Sequence, residues 1–409
     1  MIGRPVPPSP SALAQLRAEA AAQLRPEAPV LADTGAAPLD GGAPADFPGR
    51  TALAAGIAEV GGALVPLEIE RRAPLADDVV IDIEFCGLCH SDVHAGRGEW
   101  GGRQLPLVTG HEIVGRVVAV GDSVADFTVG ERVGVGCLVD SCRTCGACRD
   151  GFEQYCENGG TGTYSATDRR TGEYTQGGYS TSIVVNQGFV LRIPESLDPA
   201  AAAPLLCAGV TTYSPLRHFG AKAGDRVGVV GLGGLGHMAV KIAKAMGCSV
   251  TVFTTSESKR AAAAELGADR VVVSRDAEEL SNARDSLNLI IDTVAAPHDL
   301  DPYLAALRLD GTLVQLGLPA GAMPAVNPRP LIRRRIRYTG SMIGGIAETQ
   351  EMLDFCAEHG VQADIELVGA DRLNEAWDRM VDGDVKYRFV LDNSTLDVPA
   401  AAQARSDGA

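Results

Sequence analysis

Apolar and polar residues alternate along the first half of the chain, whereas the second half carries continuous apolar runs. Between Thr51 and about Pro204, short alternating segments end at glycines, as in VVIDIEF, IVGRVVAVG and RVGVG. A period of two is typical of strands with one buried face, so this half predicts an irregular β-barrel. From Pro204 onward, apolar runs alternate with helical patterns, which is typical of a parallel sheet covered by helices.

The second half therefore predicts a doubly wound dinucleotide-binding sheet in an α/β fold. Its predicted helices cover residues 234–246 and 257–266, and another begins near Asp299. A helix over 347–358 follows Gly344 and Gly345, a hinge beside which we expect the chain to return to the barrel from about Ser341. The six predicted strands are residues 226–230, 249–253, 270–273, 289–293, 312–316 and 336–339.

The segment GLGGLG directly follows the first of these strands. Gly231, Gly233 and Gly236 form a G-x-G-x-x-G after the apolar run 227–230 and at the start of a helix. Glycines in this context let the backbone approach a pyrophosphate, which binds at the helix N-terminus. We therefore predict a dinucleotide-binding turn that also includes Gly234 and Leu235.

The end of the second predicted strand favours NADP(H) over NAD. NAD is usually held by a carboxylate about 20 residues past the glycines, but here Thr254, Thr255 and Ser256 stand in that place and Lys259 follows. Hydroxyls and a cation can accept a 2′-phosphate, which a carboxylate would repel. Glu257 is discordant, and we expect it to face solvent. On its own, Lys259 would equally well be a solvated helix charge.

Four cysteines lie in the run CRTCGACRDGFEQYC. Two residues separate each of the first three, and thiolates at this spacing can close around one tetrahedral ion. Cys142, Cys145, Cys148 and Cys156 therefore predict a structural zinc site. A disulfide cluster is the alternative, disfavoured by the chain length, the nucleotide-binding motif and the expected lack of a signal peptide.

A second, more open set of metal ligands precedes this run. Cys89 in FCGLCHSDVH and His111 in TGHEIVG supply two ligands, and a catalytic zinc needs about three plus an exchangeable position. Cys207, in APLLCAGVTTYSP, is the best third candidate, although a lone cysteine is more often a core thiol. Glu112 is either a fourth ligand or a neighbouring carboxylate. Cys86 forms a C-x-x-C with Cys89, but it ends an alternating strand and is expected to face the core.

These motifs together resemble those of the zinc-containing medium-chain alcohol dehydrogenases. GHEIVGRVVAVGDSV is similar to the signature segment of that family, and the four-cysteine run, GLGGLG and LLCAGVTTYSPL resemble its cinnamyl-alcohol-dehydrogenase-like branch. Bacterial NADPH-dependent, broad-specificity aldehyde reductases are the most similar group. The resemblance covers residues 51–393 and implies a GroES-like β-barrel catalytic domain and a Rossmann domain. Thr109 departs from it, because relatives usually carry proline there.

The resemblance also implies roles for residues close to the ligands. Ser91 matches the hydroxyl that relays a proton at the zinc, and His94 matches the histidine that continues the relay. His90 matches the residue that contacts the cofactor pyrophosphate, and Thr211 matches a residue lining the nicotinamide. Taken alone, either histidine would more often be a surface or core residue.

Two further residues complete the predicted site. Asp92 is expected to orient His111 by a hydrogen bond, as metal-bound imidazoles usually require. Trp100 is predicted to wall the substrate pocket, with simple core packing as the alternative.

Composition excludes some classes of partner and indicates the cellular compartment. A net charge of −16 argues against nucleic acid and anionic membranes as partners, and no apolar run approaches the roughly 18 residues of a membrane span. Ten cysteines without an export signal predict a reducing compartment, the cytoplasm. The cysteines outside both zinc sites are predicted core thiols: Cys86, Cys137, Cys248 and Cys356.

The predicted domain organisation has four parts. Residues 1–50 form an Ala- and Pro-rich extension, expected to be disordered or an over-extended start, with a weak helix at 11–25 and partner docking as an alternative. Residues 51–204 and 341–395 form the GroES-like catalytic domain with both zinc sites. Residues 205–340 form the NADP-binding Rossmann domain, and residues 396–409 form a disordered tail.

The sequence thus predicts a zinc-dependent enzyme that transfers hydride reversibly between NADPH and small aldehydes with broad specificity. The predicted cofactors are two Zn²⁺ per subunit and NADP(H), and the resemblance implies a homodimer joined edge to edge through the cofactor domains. One alternative is a dedicated NAD(P)-dependent dehydrogenase for a single aromatic alcohol. The other, from a different class, is a non-catalytic zinc- and nucleotide-binding protein.

Overall fold

The structure, a computed structural model, describes residues 47–101, 104–319 and 321–396. Nearly all of the predicted N-terminal extension, with its helix over 11–25, and residues 397–409 of the predicted tail lie outside the described residues. In the described part of the chain, no helix has the length and apolar character needed to cross a membrane.

Strands form most of the first half. They are β1 (Arg50–Ile57), β2 (Leu64–Arg71), β3 (Asp78–Gly87), β4 (Ile113–Val120), β5 (Arg132–Val135), β6 (Leu138–Asp140), β7 (Thr161–Gly162), β8 (Ser182–Asn186) and β9 (Leu191–Arg192). The later strands are β10 (Arg226–Val230), β11 (Ser249–Thr254), β12 (Arg270–Val273), β13 (Leu287–Asp292), β14 (Leu307–Gln315), β15 (Arg337–Gly340), β16 (Ile365–Val368) and β17 (Arg388–Asp392).

Helices lie mostly in the second half. They are α1 (His90–Gly96), α2 (Gly146–Arg149), α3 (Pro199–Ala202), α4 (Ala208–His218), α5 (Gly234–Ala245), α6 (Arg260–Glu265), α7 (Ala277–Asn282), α8 (Asp301–Ala306), α9 (Pro328–Arg334), α10 (Ile346–His359) and α11 (Leu373–Val381). Short 3₁₀ turns cover Glu153–Tyr155, Gln187–Phe189, Ala203–Leu206, Glu257–Lys259, Ala370–Arg372 and Asn393–Thr395.

A seven-stranded sheet carries the alternating half of the sequence. Its strand order is β16-β17-β3-β4-β5-β9, with β8 paired to β3, and β1–β2 and β6–β7 form separate two-stranded sheets. The buried faces of these strands enclose one apolar core that includes Ile81, Ile113, Tyr179 and Phe389. The C-terminal strand β17 runs antiparallel to β3, with Val390 opposite Gly87. The last part of the chain therefore packs beside the segment that contains Cys89.

A six-stranded parallel sheet forms the second half. Its order is β12-β11-β10-β13-β14-β15, which reverses direction between β10 and β13. Helix α5 buries Met238, Ala239, Ile242 and Ala243, residues spaced to lie on one helical face, within the core on one side of this sheet. A second apolar core that includes Phe253, Ile290 and Leu304 covers the other side. The predicted α/β class with a doubly wound sheet is confirmed.

All six predicted strands of this sheet are present; β10 and β12 have the predicted bounds, and the ends of the other four are shifted. The strand predicted at 312–316 begins earlier, at Leu307, and the helix predicted at 257–266 begins as a 3₁₀ turn before α6. Helices α7 and α9 were not predicted, because their short polar sequences carry little helical periodicity. The domain boundaries remain a prediction.

Candidate active site

Strand pairing brings Cys89 and His111 together. β3 and β4 are antiparallel, with Cys86 opposite Ile113, so the end of β3 lies beside the start of β4. The amide of Gly87 donates to the carbonyl of Glu112 at 2.9 Å. Cys89 follows β3 as the N-cap of α1, and His111 lies two residues before the start of β4. These two residues, 22 positions apart in the sequence, therefore share one corner of the sheet.

Cys207 completes this corner from the other half of the chain. It lies between a 3₁₀ turn and α4, and its Sγ is 3.3 Å from His111 Nε2. One ligand atom from each of Cys89, His111, Glu112 and Cys207 lies within 4.8 Å of the others. A hydrogen bond from the Cys207 thiol and the charge of His111 hold the pKa of Cys89 well below its usual range. Two thiols, one of them readily ionised, and an imidazole form a donor set that suits zinc.

Asp92 is fully buried beside this donor set. Its carboxylate accepts hydrogen bonds from the amide of Cys89 at 2.9 Å, the amide of Gly110 at 3.0 Å and the hydroxyl of Tyr179 at 2.9 Å. His111 Nδ1 lies 3.5 Å from Asp92 Oδ1, so Nε2 is left facing the thiols. This geometry matches the orienting arrangement expected for a metal-bound imidazole.

Glu112 is paired with Arg388, a residue that sequence reasoning missed. Arg388 begins β17, and its Nη2 donates to Glu112 Oε1 with both side chains buried. A β-carbon at Gly87 would lie 2.0 Å from Glu112 Oε2, so only glycine admits this carboxylate. Burial raises the pKa of Glu112 to about 8, and the charge of Arg388 acts in the opposite direction. The signal that could have identified Arg388 is the need of a buried carboxylate for a cation.

Arg388 also contacts the glycine turn. A β-carbon at Gly234 would lie 2.9 Å from Arg388 Cδ and 3.0 Å from its Nη1. The buried Nε of Arg388 has no hydrogen-bond partner in the part of the chain that the structure describes. One guanidinium therefore links the metal-ligand cluster to the start of α5.

The glycine turn has the geometry of a dinucleotide-binding loop. Gly231 follows β10 with φ of +89°, a left-handed conformation that favours glycine. A β-carbon at Gly236 would lie 2.2 Å from the carbonyl oxygen of Gly231, so the helix can start this close to the strand only without a side chain. Gly233 is the N-cap of α5 and is exposed, while Leu235 is half-buried on its first turn.

The residues predicted to select the cofactor lie at the end of β11, beside β10. Thr254 is buried and its Oγ1 accepts from the amide of Ser256 at 3.2 Å, whereas Thr255 is exposed. Lys259 Nζ reaches the carbonyl of Leu232 in the glycine turn, at 3.2 Å. Glu257 is held by Arg260 through two hydrogen bonds of 2.8 Å. The only carboxylate in this segment is therefore engaged by a neighbouring cation.

Helix α1 carries the predicted relay residues. Ser91 and His94 are both half-buried and three positions apart, which places them on one face of the helix. His90 is exposed. His94 Nδ1–H donates to Glu99 Oε2 at 2.5 Å, a partner that the sequence did not reveal. Trp100 lies 5.1 Å from His94 between ring centroids.

Other residues border the site. Thr211 is buried on the first turn of α4, with its amide bonded to the carbonyl of Cys207 at 3.0 Å. The ring of Tyr164 lies 5.6 Å from that of His111. Trp100 is 38% exposed, so core packing does not describe its position.

Cys137, a predicted core thiol, is instead half-buried, and a hydrogen bond with Cys207 lowers its pKa to about 6. The other three predicted core thiols are buried.

The four-cysteine run forms a separate cluster. One sulfur from each of Cys142, Cys145, Cys148 and Cys156 lies within 4.8 Å of the others. The amide of Cys145 donates to Cys142 Sγ at 3.3 Å, and the amide of Cys142 donates to Cys156 Sγ at 3.4 Å. Four thiolates without an exchangeable position are the donor set of a structural zinc site.

Comparison with known proteins gives the family. Residues 75–195 match the alcohol dehydrogenase GroES-like domain and residues 234–358 match the zinc-binding dehydrogenase domain. The chain is 56% identical over 334 residues to the aldehyde reductase YahK of Escherichia coli, covering 81% of this chain and 95% of that protein. It is 54% identical over 334 residues to the NADP-dependent alcohol dehydrogenase C 1 of Mycolicibacterium smegmatis, with the same coverage of 81% and 95%.

A solved structure agrees with these relatives. The cinnamyl alcohol dehydrogenase of Sorghum bicolor superposes with a TM-score of 0.82 at 45% identity, covering 85% of this chain and 99% of that one. The GroES-like and Rossmann architecture predicted from the motifs is thus confirmed. The chain belongs to the zinc-containing medium-chain alcohol dehydrogenase family, in its cinnamyl-alcohol-dehydrogenase-like branch.

Proposed function

We propose that this chain is an enzyme that transfers hydride reversibly between NADPH and aldehydes of broad range, an aldehyde reductase that also oxidises alcohols. The observation that carries the proposal is the double contact of Arg388, which bonds Glu112 in the metal-ligand cluster and lies against Gly234 in the glycine turn. Hydride transfer requires the reacting carbonyl and the cofactor to be adjacent. A residue shared by the two binding sites fulfils this requirement.

Cys89, His111 and Cys207 would hold the catalytic zinc, with Glu112 as a neighbouring carboxylate or occasional ligand. When bound, zinc would polarise the carbonyl oxygen as a Lewis acid and NADPH would supply the hydride. The four cysteines from Cys142 to Cys156 would hold the structural zinc. Its role would be to fix that loop, because a closed site leaves no position for substrate.

The cofactor would be held by the glycine turn and by the end of β11. Arg388 has a buried Nε that lacks a partner among the described residues, and its guanidinium would face the pyrophosphate with His90. Thr254, Thr255 and Ser256 offer hydroxyls to a 2′-phosphate, and Lys259 brings a positive charge over the turn. The NADP-dependent relative from M. smegmatis supports this choice of cofactor.

Residues on α1 would deliver the proton that the product alcohol needs. Ser91 would donate its hydroxyl proton to the substrate oxygen, and His94 in its imidazolium form would return a proton to the Ser91 oxygen. The carboxylate of Glu99 accepts from His94 Nδ1, so it fixes the tautomer of that ring. Thr211 would line the nicotinamide, and Trp100, beside His94, would wall the substrate pocket.

Replacement of Cys89 by alanine tests the metal-dependent reaction. Loss of a ligand should lower kcat/KM for an aldehyde about a thousandfold or more, because the metal contributes several kcal/mol to the transition state. Cys248→Ala is the matched control, since this cysteine is buried in the core of the second half. Wild-type turnover by Cys89→Ala would mean that the catalytic site has been misassigned.

A substrate panel separates broad from narrow specificity. We expect aliphatic and aromatic aldehydes to be reduced with kcat/KM values within about two orders of magnitude, since a hydrophobic pocket discriminates weakly. A single strongly preferred aromatic substrate would contradict the broad range and favour a dedicated dehydrogenase.

We further propose a cytoplasmic homodimer with the domain boundaries given above. β15 is an edge strand of the parallel sheet, and Tyr338 within it and Met342 just after it are 39% and 49% exposed. Unpaired strand edges favour pairing with a second strand, here that of another copy. All ten cysteines are unpaired thiols, which supports a reducing compartment. Sedimentation velocity tests the dimer, and a monomer at micromolar concentration would contradict it.

A further inference from the structure

A buried acid–histidine pair closes the loop that follows β13. Asp292, the last residue of β13, has no exposed surface, and His298 is 18% exposed in its side chain. Asp292 Oδ2 lies 3.0 Å from His298 Nε2. The two residues are six positions apart, so their contact draws residues 293–297 into a closed loop.

The surroundings of the imidazole require an extra proton in this pair. His298 Nδ1 lies 2.8 Å from the carbonyl of Ala296, and a carbonyl only accepts, so Nδ1 carries hydrogen. His298 Nε2 and Asp292 Oδ2 are not aligned for an ideal hydrogen bond. Neither atom has another hydrogen-bond partner among the described residues. A neutral ring protonated at Nδ1 would face the ionised carboxylate with a lone pair. Favourable contact therefore needs either an imidazolium or a protonated carboxyl group.

Burial favours retention of this proton by raising the pKa of Asp292. Other groups face the pair from neighbouring elements. The Tyr303 ring of α8 lies 5.9 Å from that of His298, Tyr338 of β15 interacts with the charge of Asp292, and Asp299 is adjacent in sequence. Burial raises the pKa of both tyrosines, so they stay neutral below pH 10. The acid–histidine pair is therefore the group whose protonation changes.

The closed loop packs directly on the glycine turn. Thr293 donates from its amide at 3.0 Å and from its hydroxyl at 2.8 Å to the carbonyl of Val230, the residue before Gly231. A β-carbon at Gly231 would lie 3.0 Å from both Thr293 Oγ1 and Val294 Cγ2. β10 and β13 flank the point where the strand order reverses, and dinucleotides bind at such a point.

We propose that the Asp292–His298 pair is a protonated clasp that positions residues 293–297 behind the glycine turn and thereby sets the affinity for NADPH. The clasp rests on the proposed function for its ligand. Asp292 and His298 are positioning residues, because they act through the loop rather than on the reacting atoms. Raising the pH removes the proton, places two acceptors against each other and loosens the loop. NADPH affinity therefore falls as pH rises.

Binding of NADPH to the zinc-loaded protein between pH 6 and pH 9.5 tests the clasp. His298→Leu should raise the dissociation constant about five- to tenfold at pH 6.5, the loss of one charge-assisted contact, while kcat at saturating NADPH changes much less. In Asp292→Asn, the side-chain amide can donate a hydrogen bond to the unprotonated Nε2 of His298. The dissociation constant of this variant for NADPH should therefore rise less with pH than that of the wild type. Comparison of the variant with the wild type at each pH cancels titration of the cofactor phosphate. His218→Leu, at the exposed end of α4, is the matched control.

Unchanged binding and an unchanged pH profile in both variants would overturn the clasp. If the wild-type protein binds no NADPH at any pH, the proposed function fails, and hydrogen exchange then tests the clasp independently. Amides of residues 293–296 should exchange faster in His298→Leu than in the wild type, and equal rates would overturn it. Because Asp292→Asn is nearly isosteric, it keeps the test valid if His298→Leu does not fold.

Discussion

Arg388 joins the metal-ligand cluster to the glycine turn, yet the sequence does not single it out as it does the ligands. Cys89, His111 and Cys207 belong to short motifs with distinctive residue types, so the sequence alone indicates that they are metal ligands. Arg388 sits in KYRFVLD, an ordinary strand pattern, and its contact with Glu112 joins residues 276 positions apart. Such long-range pairing depends on how β17 docks against β3, which no local pattern encodes.

Arg388→Met should weaken NADPH binding. The change removes the cation beside Gly234 and leaves Glu112 buried without its partner, so we expect KM for NADPH to rise about tenfold and the protein to lose several kcal/mol of stability. Steady-state kinetics and thermal melting measure the two effects. Arg372→Met, at an exposed arginine paired with Glu375, is the control. An unaltered KM for NADPH would exclude Arg388 from the cofactor site.

Thr255→Asp should shift the cofactor preference towards NADH. A carboxylate at the end of β11 repels a 2′-phosphate and accepts from a ribose 2′-hydroxyl, so the ratio of kcat/KM for NADPH to that for NADH should fall at least about tenfold, or 1.4 kcal/mol. Thr128→Asp, on the exposed loop between β4 and β5, controls for added charge. If the ratio does not move, 2′-phosphate recognition lies at other residues.

At the element scale, the parallel sheet was the most predictable part. Its strands are continuous apolar runs because both faces are buried, and they are separated by helices and glycines, so each was detected within a few residues. The strands of the barrel were harder to predict from the sequence. β17 pairs with β3, which lies far earlier in the sequence, and β16 pairs with β17. β6, β7 and β9 have only two or three residues each. Elements this short are defined by their partners rather than by their own periodicity.

The four-cysteine loop should depend on its metal for stability. Cys145→Ala removes one thiolate from a set whose sulfurs lie within 4.8 Å of one another. We expect zinc content to fall from two ions per subunit to one and Tm to fall by at least about 5 °C, because metal binding contributes to folding. Metal analysis and calorimetry on the same samples measure both quantities, with Cys248→Ala as the control. Two retained zinc ions would contradict the structural assignment.

At the scale of the whole molecule, the metal-ligand cluster draws residues from both halves of the chain. Cys207 precedes α4 and Arg388 begins β17, and both contact residues at the β3–β4 corner. Arg388 then reaches the first turn of α5. The metal-ligand cluster therefore lies near the point where the strand order of the parallel sheet reverses. Dinucleotides bind at this point in doubly wound folds.

Hydride transfer from NADPH to a carbonyl at the zinc site is the reaction that all of these residues serve. The most direct measurement is the loss of absorbance of NADPH and, separately, of NADH when the zinc-loaded protein is mixed with benzaldehyde. We expect rapid oxidation of NADPH and oxidation of NADH slower by at least about tenfold. Faster oxidation of NADH would contradict the roles of Thr255 and Lys259. Absence of turnover with both cofactors, here and across a wide panel of aldehydes and alcohols, would contradict the proposed reaction itself.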